Sequence, residues 1–187
     1  MGTKWNENDD TRLPLDTLKE LGRKIAEVPS NFKLHPRVEK IMEQAFIAIA
    51  RHESTETPAL EIEGRIINAR RIARGVAWFD FRELCDGPRG KDDYIELARR
   101  YHTVLISGIP QFKQDEADIV RRFTWLVDEF YDRRVKLIVS AAAPPAQLYA
   151  WAEGGDQFER TISRLIEMQT RDYMALPHLS GDTARAP

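Results

Sequence analysis

The stretch Arg121–Ala141, RRFTWLVDEFYDRRVKLIVSA, decides how the rest of the chain is read. Within it, Trp125-Leu126-Val127-Asp128-Glu129 resembles an apolar strand that ends in a metal-binding acidic pair. Such a pair works only at the carboxyl end of a strand, where it holds magnesium beside phosphates. The spacing points elsewhere. Phe123, Leu126, Val127, Phe130 and Tyr131 recur at i, i+3, i+4, i+7 and i+8, which is one face of an α-helix. A helix is expected over 115–133, with Asp128 and Glu129 on its outer side and Glu129 paired with Arg133 one turn on. The strand comes only afterwards, in VKLIVSA, and an equally apolar run, TVLISGI, precedes the helix. Two buried strands flanking a helix form a βαβ unit, so the strands should be parallel and the class α/β.

Outward from that unit the periodicity changes twice. Leu15, Leu18, Leu21, Gly22 and Ile25 predict a first helix from Pro14 to Pro29, and Val38, Ile41, Met42, Ala45, Phe46 and Ile49 a second from Pro36 to about Arg51. The polar RHESTETP breaks that pattern and reads as a linker. ALEIEGRII and the β-rich GVAWFDF predict a small hairpin or sheet, and DDYIELARRY a short helix capped by Asp92 or Asp93. APPAQLY begins another short helix, and Phe158 to Tyr173 forms a long final one. The expected order is two N-terminal helices, a small hairpin or sheet, the βαβ unit and the long C-terminal helix. The expected segments are a helical lead (1–52), an α/β module (53–178) and a disordered tail (179–187).

Composition narrows the function classes. The 187 residues are 42% hydrophobic and 31% charged, with a net charge of −2. That balance suits a soluble globular chain and gives no global attraction to nucleic acid or anionic lipid. Arginine pairs at 70–71, 99–100, 121–122 and 133–134 are offset by neighbouring acids and read as solvated helix faces. Cys85 is the sole cysteine, so an intrachain disulfide and a cysteine zinc cluster are excluded, in keeping with a reducing compartment. No basic-then-apolar leader opens the chain, and no apolar run approaches the ~18 residues of a membrane span. A cytoplasmic location is expected.

Self-contained catalytic patterns fail one by one. In CDGPRGKDD, Gly90-Lys91 resembles the end of a phosphate loop, but Cys85 stands where the first glycine belongs and Asp92 where Ser or Thr should ligate magnesium. His35, His52, His102 and His178 lie far apart, without the i+4 partner of a helical metal site. His102 abuts a strand and reads as a packed residue. Arg82 and Arg89 could activate Cys85, although a small buried apolar role is the commoner fate. The last helix presents Arg160, Arg164, Glu167 and Arg171 along one stripe, opposite Phe158, Ile162, Leu165 and Ile166. That stripe is either an anion or partner surface, or a solvated face laced by a Glu167–Arg171 pair. No metal ligands and no catalytic residues are expected.

From about Met42 to His178, the segments MEQAF, LEIEGRIINARRIARGVAWFDFRELCDGPRG, DDYIELARRYHTVLISGIPQF, RRFTWLVDEFYDRRVKLIVSA and FERTISRLIEMQTRDY resemble the C-terminal part of the ZapE-like cell-division ATPase family. The resemblance implies an AAA-like P-loop ATPase that uses ATP and magnesium and meets the bacterial division ring, with mitochondrial relatives in protein quality control. In that family the phosphate loop, acidic magnesium motif and arginine-bearing stretch precede the part matched here, so no catalytic residue carries over. Arg121, Arg122, Arg160 and Arg164 match its C-terminal motifs and are the candidate nucleotide, anion or partner contacts. Residues 4–41, through Trp5, Thr11, Leu18, Pro29, Phe32, His35, Pro36 and Val38, resemble a segment of the E1 component of 2-oxoglutarate dehydrogenase, a thiamine diphosphate enzyme. The join would fall near Ile41–Gln44. The resulting expectation is a truncated, chimeric, non-catalytic module that binds no cofactor. It would contact a division-ring protein or ATPase subunit and be prone to self-association. The alternatives are a functional ATPase and a remnant of the thiamine enzyme.

Overall fold

The computed structural model describes residues 36–50, 55–56, 58–149 and 155–181. The expected first helix (14–29) and most of the E1-like segment lie outside them, as do residues 182–187 of the tail. Helix α1 (Pro36–Ala50) follows the predicted spacing, with Val38, Ile41, Met42, Ala45, Phe46 and Ile49 all buried. Strand β1 (Thr55–Glu56) falls inside the expected linker and pairs antiparallel with β4 (Arg71–Ala73). Part of RHESTETP is therefore sheet.

Between them, β2 (Ala59–Ile62) and β3 (Arg65–Asn68) form a separate hairpin. Its two-residue turn needs positive φ at both positions. Glu63 (48°) and Gly64 (69°) supply it. Strand β5 (Val76–Asp80) corrects the sequence reading: GVAWFDF belongs to the main sheet, antiparallel to β4 and parallel to β6 (Thr103–Ile109). Its Trp78 and Phe79 pack on opposite faces of that sheet, so it lacks the apolar–polar alternation of a half-exposed strand. Strand β7 (Lys136–Ala141) lies parallel to β6 on its other side, giving the order β1-β4-β5-β6-β7. The βαβ unit is as the spacing predicts: β6, α4 (Ala117–Asp132), β7.

Both faces of the sheet are covered. On one, α1 buries Val76, Trp78, Leu105 and Ile138. On the other, α4 sets Phe123, Leu126, Val127 and Phe130 against Ala77, Phe79, Val104 and Ile106. Short α2 (Phe81–Cys85), α3 (Lys91–Arg100), α5 (Gly155–Glu167) and α6 (Arg171–Ala175) complete that layer. Helix α3 is capped at Gly90, not at Asp92 or Asp93. Asp93 sits at the third helical position, and its Oδ2 accepts from the Gly90 amide at 2.6 Å. APPAQLY gives one 3₁₀ turn, Pro145–Gln147. The long final helix is two pieces, because Thr170 leaves helical geometry and its hydroxyl caps α6 at Tyr173.

Beyond α6 the chain packs back: the Leu179 amide donates to Arg133 O at 3.0 Å, and His178 Nε2 lies 2.7 Å from Ala98 O. His178 and Leu179 are thus held against the rest of the fold.

Candidate interaction site on the α4–α5 seam

Helix α4 carries the decisive sequence, and neither of its acids lies free on a solvated face. Glu129 is buried at 4% exposure; its carboxylate reaches Arg133 at 2.7 Å and Lys91 at 3.1 Å. The Glu129–Arg133 pair is as expected, but it lies inside the helix layer, between α4 and the start of α3. Lys91 is the lysine of the false phosphate loop. The two stretches that imitate ATPase motifs therefore meet each other and tie α3 to α4.

Asp128 faces α5. Arg160 donates to it at 2.7 Å, and Arg164 reaches its other oxygen. Arg164 also lies 3.6 Å from Asp132 and 4.9 Å above the Tyr131 ring. Burial raises the Asp132 carboxyl above its ordinary range, while Arg164 opposes that rise. Tyr131 donates to Glu167 at 2.8 Å, an acceptor that holds its phenol protonated above the usual range. Glu167 is thus engaged by Tyr131. Beneath the charges, Thr161 and Thr124 hydroxyls meet at 3.3 Å in a buried contact. Ile166, expected on the apolar face, is 53% exposed, because the face buried by α5 runs through Phe158, Thr161 and Leu165.

The four candidate arginines divide into two groups. Arg160 and Arg164 are brought together by Asp128. Arg121 pairs with Asp118 at 2.7 Å and lies 5.5 Å over the Trp125 ring. Arg122 turns the other way, donating to Gly87 O at 2.9 Å and Asp118 O at 3.2 Å. The sequence does not reveal Asp128 as the shared anchor, because its partners lie 32 and 36 residues away. Complementary charge on the outer face of the last helix was the available signal.

Open α/β sheets hold ligands at the carboxyl ends of their strands. Strand β5 runs directly into α2 at Asp80–Phe81, with no loop between. Asp80 bonds Arg70 at 2.6 Å, and Arg70 also holds Glu39 of α1. Ser107 accepts from Trp78 Nε1 at 3.0 Å, and Ser140 from the Gly108 amide at 2.9 Å. Cys85 is fully buried, and burial pushes its thiol up to about 12, opposite to activation. Among the described residues no group of three or more His, Cys, Asp or Glu side chains is placed to hold a metal. No helix there is long and apolar enough to cross a membrane.

Comparison with known proteins identifies the family. Residues 23–177 match the family described as AFG1-like ATPase. The chain belongs to the AFG1-like ATPase family. It is 36% identical over 148 residues to "Cell division protein ZapE" of Escherichia coli K12, a match covering 79% of this chain and 40% of that protein. Danio rerio "Lactation elevated protein 1 homolog B" is 31% identical over 172 residues, covering 75% of this chain and 33% of the relative. An uncharacterized Schizosaccharomyces pombe protein is 35% identical over 171 residues, with 76% and 38% covered. The chain thus spans two fifths or less of the length of these AFG1-like relatives. No solved structure matches.

The family match starts at residue 23 and runs through the join expected at Ile41–Gln44. Helix α1 also crosses that point without a break. The comparisons give no support to a segment from 2-oxoglutarate dehydrogenase or to a chimera.

Proposed function

We propose that this AFG1-like module acts in cell division through protein contacts and does not itself hydrolyse ATP. The observation that carries the second half is the state of the parallel-strand ends. Among the described residues, three polar side chains there are engaged within the chain: Asp80 by Arg70, Ser107 by Trp78 and Ser140 by the Gly108 amide. The one Gly-Lys stretch that imitates a phosphate loop follows a helix, and its lysine is spent on Glu129. A nucleotide would have to break these pairs with no backbone cradle among the described residues to compensate.

The protein-contact half draws on the name of the E. coli relative and on the seam. Asp128 and Asp132 neutralise Arg160 and Arg164 in place, so a phosphate finds no spare cation among those four groups. A mixed-sign surface with the Trp125 and Tyr131 rings beside it suits a protein partner better. Titration of the chain with ATP and magnesium tests the reading. Heat of binding with micromolar affinity and phosphate release would overturn it; no saturable binding supports it.

A further inference from the structure

We infer that the outer edge of β7 is a strand-pairing site, and that its occupant is β7 of a second copy of this chain, running antiparallel about a two-fold axis at Val139. Backbone groups alternate along a strand. The Lys136 amide donates to His102 O at 2.8 Å, and the Ala142 amide to Ile109 O at 2.8 Å. Even-numbered residues of β7 therefore point to β6, and Leu137, Val139 and Ala141 turn their N–H and C=O outward. Among the described residues no hydrogen bond reaches those groups.

The two ends of the sheet are not alike. Its other edge, β1, is only two residues long. Edges are normally blunted by shortness, proline or a projecting charge. Strand β7 has six residues and no proline, and its one charge is withdrawn. Lys136 is 2% exposed, with Nζ donating to Tyr173 O at 3.1 Å and Leu176 O at 2.7 Å. What lines the edge is half-exposed Leu137, Val139 and Ala141.

This edge is self-complementary. With Val139 opposite the partner's Val139, Leu137 falls opposite the partner's Ala141. In an antiparallel ladder, such facing residues exchange both hydrogen bonds. Every outward donor and acceptor of the strand is then used, and no like charges face each other. A closed two-fold contact of this kind also stops growth at two copies.

The inference stands apart from the ATP question, so either can fail alone. Light scattering after size exclusion at micromolar concentration should give twice the 21.6 kDa chain mass. Val139→Lys and Val139→Glu should each give monomers, since like charges meet on the axis. Mixing the two should restore a dimer, which a folding defect would not do. Amide exchange at Leu137, Val139 and Ala141 should be slow in the wild type and fast in either variant alone. A monomeric wild type, or variants that still dimerise, overturns the proposal. So does a dimer in which these three amides exchange freely.

Discussion

Replacing Glu129 by glutamine separates a structural role from a catalytic one. In an ATPase acidic pair, that change abolishes turnover and leaves the fold intact. Here Glu129 is 4% exposed and Arg133 7%, with 2.7 Å between their charged atoms. That contact runs through Arg133 Nη1, and the buried Nε has no partner among the described residues, so the substitution leaves a buried guanidinium facing a neutral amide. Breaking a buried pair from one side costs about 3 kcal/mol. Lys91, 44% exposed, adds little because water screens it. For a chain of this length, ~3 kcal/mol lowers the melting temperature by about 6–12 °C. The double change Glu129→Leu with Arg133→Met removes both charges and should recover most of the loss. Urea denaturation followed by circular dichroism measures all three chains. An unchanged midpoint for Glu129→Gln would refute the burial argument, and a double variant no better than the single would refute its electrostatic cause.

Three further expectations follow from the same geometry. Gly75 holds φ +70°, and an added Cβ would lie 2.4 Å from the His102 ring. Gly75→Ala should therefore lose clearly more than the ~1–2 kcal/mol of left-handed alanine, whereas Gly64→Ala, with open space around it, should lose only that amount. Equal losses in denaturant melts would contradict the contact. Asp128→Asn should cost about 1–2 kcal/mol and less at high salt, because Arg160 is 56% exposed and Arg164 21%. The Cys85 thiol ionises near 9.0 when unfolded and is held protonated to about 12 in the fold. The unfolded state then binds fewer protons between those values, so stability falls as pH rises above about 9. Cys85→Ala should flatten that decline, and no thiol reagent should label native Cys85 at pH 8.

The parts of the fold legible in the sequence are those whose local pattern agrees with their final packing. Helix α4 announces itself through Phe123, Leu126, Val127 and Phe130, and β6 and β7 through apolar β-branched runs. Both sheet faces are covered, which is why those runs are continuous. Other features depended on contacts no window contains. Strand β5 carries the same residue types a hairpin would, and only its parallel pairing with β6 sets it in the main sheet. The break at Thr170 arises because its hydroxyl caps α6. At the seam, the arginine stripe is visible at i, i+4 spacing, but its partner Asp128 reads only as an acid on the outer side of α4. Helical period fixes which side of α4 an acid occupies, and cannot say that α5 will lie against that side.

The most direct test of the central claim is calorimetric titration of the purified chain with ATP and magnesium, with phosphate release measured on the same sample. The strand-end pairs and the engaged Lys91 predict no saturable heat and no phosphate above background. Micromolar binding accompanied by turnover would contradict the account, and would require a phosphate cradle where β5 now runs straight into α2.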